Sequence, residues 1–84
     1  MYEVVVSSPA LRDLKKLPHG QRPKIVAAMR ELEVDPRARA EKLAGADAYR
    51  VRVGDFRIVF RVDDGRHEVV IARVAHRREV YRRR

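Results

Sequence analysis

Arg50, Arg52 and Arg57 are the residues of this chain whose type and spacing most directly imply chemistry. They lie in Tyr49-Arg50-Val51-Arg52-Val53-Gly54-Asp55-Phe56-Arg57-Ile58-Val59-Phe60, where apolar and basic residues alternate at period two on either side of Gly54-Asp55. The pattern reads as a β-hairpin with a two-residue loop. In that register Val53 faces Phe56, Arg52 faces Arg57 and Val51 faces Ile58. Arg50, Arg52 and Arg57 then share one face, and Tyr49, Val51, Val53, Phe56, Ile58 and Phe60 share the other. Two arginines directly opposed across a strand pair repel each other, so stability alone does not place them there. A polyanion docking between them does, which points to phosphate and to nucleic acid.

The charge of the 84-residue chain agrees with this reading. Its formal net charge is +8, and the excess is uneven. Residues 1–47 carry 9 Lys/Arg against 7 Asp/Glu, whereas residues 48–84 carry 11 against 5. Sixteen of the twenty cations are arginine, whose planar fork matches phosphate better than an ammonium does. An arginine-rich composition explains the preference over lysine but not the clustering in the second half. Cysteine is absent, which removes disulfides and thiolate metal sites. His19, His67 and His76 are too scattered for a structural zinc site, and no carboxylate pair suggests a metal, so no cofactor is expected. His19 in its Pro-His-Gly turn and His67 at a strand start are expected to have no functional part. No apolar run reaches membrane-span length and no signal peptide is evident, so a soluble cytoplasmic protein is expected.

The remaining pattern gives one small domain that must hold the arginines in place. Tyr2 to Ser7 reads as a β-branched strand. Ser8 at the N-cap and Pro9 at the first helical position start a helix carrying Leu11, Leu14 and Leu17. A second helix is expected from about Gln21 to Val34, with Ile25, Ala28, Met29 and Leu32 on one face and Asp35-Pro36 closing it. A charged connector, 37–47, contains Leu43, which is expected to plug the core edge. Strands at about 48–53, 56–62 and 67–74 follow, the last apolar on both faces and therefore central. With Asp64-Gly65 as the second loop, Arg61 would lie opposite Glu68 in a structural ion pair. The expected fold is α+β, in the order β-α-α-β-β-β, with both helices on one side of the sheet and the arginine side facing outward.

The segments Ala48 to Phe60, Asp63-Asp64-Gly65 and Ala75-His76-Arg77-Arg78-Glu79-Val80-Tyr81-Arg82 together resemble the RelE toxins of the RelE/ParE superfamily. The likeness runs the whole length, from the Pro9–Leu17 helix through the leucine-glycine connector to the closing Arg-x-x-x-Tyr. It implies a single RelE-like toxin domain over 1–84, built as a twisted antiparallel sheet with two N-terminal helices packed on one face. It also implies a toxin of a type II toxin–antitoxin system that enters the ribosomal A site and cleaves mRNA. The implied partners are the ribosome, mRNA and a RelB-like acidic antitoxin that wraps and neutralises the toxin.

The implied reaction is attack of a 2′-hydroxyl on its adjacent phosphate, giving a 2′,3′-cyclic phosphate and a free 5′-hydroxyl. Fixed cations stabilise the charge that builds on the phosphoryl oxygens. By position in the motif, Arg50 and Arg52 match the family's basic pair before the turn, and Arg57 matches the arginine after it. Tyr81 matches the C-terminal tyrosine that deprotonates the 2′-hydroxyl or stacks on a base, and His76 or Arg77 occupies the region of a further basic residue. Some members carry lysines where Arg50 and Arg52 stand. Arginine holds its proton too firmly to act as an acid or base, so these two are expected to clamp charge. Proton transfer is left to Tyr81, His76 or a bound water. If the tail forms a helical turn, Arg77 lies one turn from Tyr81 and favours the phenolate. The alternatives are a ParE-like, non-catalytic inhibitor of DNA gyrase and a nonspecific nucleic-acid-binding module driven by charge.

Overall fold

The computed structural model describes residues 1–76; Arg77 and Tyr81 lie outside the described residues. The described elements are β1 (Glu3–Val6), α1 (Ser8–Lys15), α2 (Arg22–Val34), β2 (Glu41–Lys42), β3 (Tyr49–Val53), β4 (Phe56–Asp63) and β5 (Glu68–His76). They form one sheet in the order β1-β5-β4-β3-β2. The α+β architecture and the central place of the last long strand follow the sequence reading. Two features differ. A short strand, β2, lies inside the expected connector and pairs antiparallel with β3. The sheet is also mixed, because β1 runs parallel to β5 whereas β2 through β5 are antiparallel. Hairpin loops dictate antiparallel pairing only for neighbours in sequence. β1 reaches β5 across most of the chain, so no loop sets its direction.

Local chemistry explains the helices. Ser7, not Ser8, is the N-cap of α1, and its hydroxyl accepts from the Ala10 N–H at 3.3 Å. The buried stripe is Ala10, Leu14 and Leu17, with Leu14 only partly covered, while Leu11 is 48% exposed. Spacing of four then three follows the helical period better than the leucine triplet does. On α2, Ile25, Met29 and Leu32 are buried and Ala28 is half-buried, as expected. These side chains meet Ile58, Phe60, Val69, Ile71 and Val74 from the sheet in one core.

Val69, Ile71 and Val74 do not share strand parity, and a bulge reconciles them. Phe60 pairs with Ile71 but Val59 pairs with Arg73, so β5 carries one extra residue, Ala72. The extra residue flips the strand's faces, which puts Val74 into the core and keeps Arg73 out. Arg73 bonds Asp13 of α1 through Nε at 2.8 Å and Nη2 at 3.1 Å. The same carboxylate accepts the Val74 N–H at 2.8 Å.

Asp13 therefore caps β5 where β1 has ended. Burial pushes its carboxyl up, but the Arg73 hydrogen bond, the Val74 N–H and the charges of Arg73 and Lys16 outweigh this and hold it below its ordinary value. A carboxyl lowered in the folded state contributes stability above its unfolded pKa, and that stability is lost as pH falls through the folded value. Asp13→Ala is expected to cost about 1–3 kcal/mol at neutral pH, the range for stranding a buried N–H. In urea melts the gap between wild type and Asp13→Asn should narrow below about pH 4, where the unfolded carboxyl titrates. A pH-independent gap would rule out the charge.

The second turn also differs from expectation. Asp63 pairs with Glu68, and Arg61 sits opposite Val70, so the expected Arg61–Glu68 pair does not form. The loop spans residues 64–67 because His67 adopts a left-handed φ of 54° and its ring stacks on Tyr2 at 4.7 Å. Asp64 accepts from the Tyr2 hydroxyl at 2.7 Å and from Arg37 at 2.8 and 3.2 Å. The Arg37 hydrogen bonds, then that of Tyr2, keep its carboxyl below the ordinary value, and Asp64 in turn raises the Tyr2 phenol. Arg37 further donates to the Tyr49 hydroxyl at 3.0 Å. This clasp ties the start of the connector to β3 and to the β4–β5 turn, and so fixes where residues 38–42 run. Leu43 is half-buried and stands outside the core cluster; its N–H bonds the Ala48 carbonyl at 2.9 Å.

Candidate functional site

The β3–β4 hairpin has the register the sequence predicts: Val53 with Phe56, Arg52 with Arg57, Val51 with Ile58, Arg50 with Val59. Gly54 takes a left-handed φ of 61° at the first loop position, a conformation glycine adopts without strain and the one a tight hairpin loop needs there. Ile58 and Phe60 are buried, and Tyr49, Val51, Val53 and Phe56 pack against the same core. Alternation then turns Arg50, Arg52 and Arg57 to the opposite face.

The three arginines line one cleft of about 270 Å³, together with Arg39 and Glu41. Their environments are unequal, which the sequence did not indicate. Arg52 is exposed, Arg50 is partly covered, and Arg57 is only 3% exposed. The expectation that all three arginines face outward is therefore corrected. Arg57 is buried while still lining the cleft, so it serves as part of the floor rather than the rim.

Arg50 is held from the side. Its Nε donates to Glu41 Oε1 at 3.0 Å, across the directly paired Glu41–Arg50 register of β2 and β3. Among the described residues no other protein acceptor meets its two terminal nitrogens. The Arg52 side chain has no hydrogen-bond or ion-pair partner among the described residues. Such a cleft concentrates fixed positive charge with donors left over, the arrangement that stabilises a phosphoryl group gaining negative charge.

Glu41 and Arg39 escaped the sequence reading because the connector read as a loop. The alternation of Arg37, Arg39 and Glu41 with small residues is the signal that could have shown an extended segment.

His76 is placed elsewhere. It pairs with Phe56, and the two rings meet edge to face at 5.4 Å. Since Phe56 packs on the core side, His76 has the helix-side parity and does not line the arginine cleft. Arg77 and Tyr81 lie outside the described residues. Among the described residues no cluster of His, Cys, Asp or Glu could hold a metal ion, and no helix is long and apolar enough to cross a membrane.

Comparison with known proteins agrees with the fold and the motifs. Residues 4–81 match the family model described as the ParE toxin of the type II toxin–antitoxin system parDE. The chain is 37% identical to Toxin RelG of Mycobacterium tuberculosis, with 98% of each chain covered. It is 34% identical to Toxin RelE of the same organism, over 96% of this chain and 87% of that one. In structure it resembles the RelBE2 toxin–antitoxin complex of M. tuberculosis, with a TM-score of 0.85 and 33% identity over 89% of this chain and 96% of that one. The intact E. coli RelBE complex is similar at a TM-score of 0.81 and 26% identity, covering 90% and 96%. Matched along nearly its whole length in sequence, and in fold over the described residues, this chain belongs to the RelE/ParE superfamily of type II toxin–antitoxin toxins.

Proposed function

We propose that this toxin is a ribosome-dependent endoribonuclease that cleaves mRNA by attack of a 2′-hydroxyl on the adjacent phosphate. The observation that carries the reading is the cleft holding Arg50, Arg52 and Arg57 on the sheet face away from the helices. In the reaction the 2′-oxygen bonds to phosphorus as the bond to the 5′-oxygen breaks. The 2′-hydroxyl loses its proton, and the leaving 5′-oxygen gains one. Arg52 and the terminal nitrogens of Arg50 neutralise the non-bridging oxygens, and Arg57 supplies positive potential from the floor. None of the three gives up a proton, so proton transfer falls to Tyr81 or to water, and the helix-side place of His76, edge-on to Phe56, supports it less. RelBE complexes among the structural relatives support an antitoxin partner, and the net charge of +8 favours an acidic one.

Induced alone in bacteria, the protein is expected to halt growth and to create new mRNA 5′ ends inside reading frames. Co-expression with the neighbouring reading frame should abolish both. The competing reading is a ParE-like, non-catalytic inhibitor of DNA gyrase, which the RelG and RelE relatives do not favour. Lost DNA supercoiling with intact mRNA would establish that competitor instead.

A further inference from the structure

We propose that two connector residues complete the cleft: Arg39 as a fourth cation that binds an RNA phosphate, and Glu41 as a positioning residue that sets the Arg50 guanidinium. The inference rests on the endoribonuclease reading. Both side chains line the same cleft as Arg50, Arg52 and Arg57, and both stand on a segment anchored by the Arg37 clasp to Asp64 and Tyr49.

Arg39 has little holding it elsewhere. Its ion pair with Glu31 is long, at 3.6 Å, and the two side chains are 77% and 62% exposed. Exposed pairs of this kind contribute almost nothing net, so a phosphate draws Arg39 away at negligible cost. Glu41 presents the opposite puzzle, because a carboxylate on the wall of an anion site weakens anion binding by repulsion. Its geometry supplies a reason for its presence. It bonds Arg50 at Nε alone, at 3.0 Å; Glu41 is 72% exposed but the Arg50 side chain only 27%, so the contact orients a largely covered guanidinium and leaves its terminal fork to the substrate. Arginine's value at phosphate lies in that fork's orientation as much as in its charge. Preorganised donors also avoid reorientation at the moment of reaction.

The two roles make opposite predictions for binding and turnover. Ribosomes programmed with a defined mRNA give kcat and KM, and a short RNA gives affinity against salt. Arg39→Ala should raise KM roughly 3–10-fold with kcat little changed, and lower the salt slope of RNA binding by about one. Glu41→Ala should bind RNA as tightly as wild type or more tightly, yet turn over roughly 10-fold more slowly, because orientation and not attraction is lost. Glu41→Gln keeps an acceptor oxygen for Nε and should recover most of that turnover, which a merely structural or charge-damping role does not predict. Unchanged kinetics in Arg39→Ala removes the fourth cation. Wild-type turnover in Glu41→Ala, or no recovery in a folded Glu41→Gln, removes the positioning role. Should Glu41→Ala fail to fold, Glu41→Gln decides alone: near-wild-type turnover with unweakened binding sustains the role, and a loss overturns it. A wild-type protein that cleaves no mRNA on ribosomes defeats the endoribonuclease reading itself, which separates the two failures.

Discussion

Arg52→Ala is expected to slow cleavage of ribosome-bound mRNA by roughly 10²–10³-fold, the scale for losing one preorganised charge stabiliser, while leaving the fold intact. Arg52 is exposed and its side chain has no hydrogen-bond or ion-pair partner among the described residues, so its removal strands nothing. It stands directly opposite Arg57, and relieving that repulsion should hold stability constant or raise it slightly. Arg57→Ala is expected to lose activity on the same scale but through a less stable protein. Arg57 is 3% exposed, so truncation opens a void beside the sheet, and core-like truncations destabilise by about 1–3 kcal/mol. Arg57→Met keeps most of the unbranched apolar stem and removes the charge, which separates chemistry from packing. Thermal melts beside single-turnover cleavage assays read both quantities. Wild-type cleavage by folded Arg52→Ala and Arg57→Met proteins would take the clamp out of the mechanism.

The second large effect is expected at Tyr81. Arginine does not release its proton at working pH, and His76 meets Phe56 edge to face with helix-side parity. A protein-borne base for the 2′-hydroxyl is then best sought in the tyrosine of the Arg77-x-x-x-Tyr81 motif. Tyr81→Phe keeps the ring and removes only the hydroxyl. If the hydroxyl moves the proton, this variant should occupy ribosomes normally and cleave about 10²-fold or more slowly, within the range of general acid–base catalysis. If the ring only stacks on a base, Tyr81→Phe should keep most activity and Tyr81→Ala should lose it. Full cleavage by Tyr81→Ala would exclude both roles. A His76→Ala control should cleave near the wild-type rate if His76 acts only in packing against Phe56.

Local pattern determined the hairpin. Period-two alternation broken by Gly54-Asp55 admits one register that buries Ile58 and Phe60 and packs Val51 against them. Pairing, loop and arginine face all follow from that register, because a one-residue slip would expose the whole apolar set. The second helix was equally legible, since Ile25, Met29 and Leu32 repeat at the helical period. What the tertiary structure alone decided concerns contacts between segments distant in sequence. The bulge at Ala72 arises because β5 must satisfy the β4 register at both ends, and no local signal marks it. The four-residue loop before Glu68 is fixed by Tyr2 stacking on His67 and by Arg37 and Tyr2 holding Asp64. That longer loop is what denies Arg61 its expected partner. The parallel seat of β1 is set by where two helices return the chain, not by any turn. In the cleft, alternation gave three arginines one face but could not grade their burial, because exposure depends on what packs over a face. Glu41 entered the site for the same reason: a two-residue strand carries too little pattern to be read, and only its pairing with β3 brings its carboxylate to Arg50.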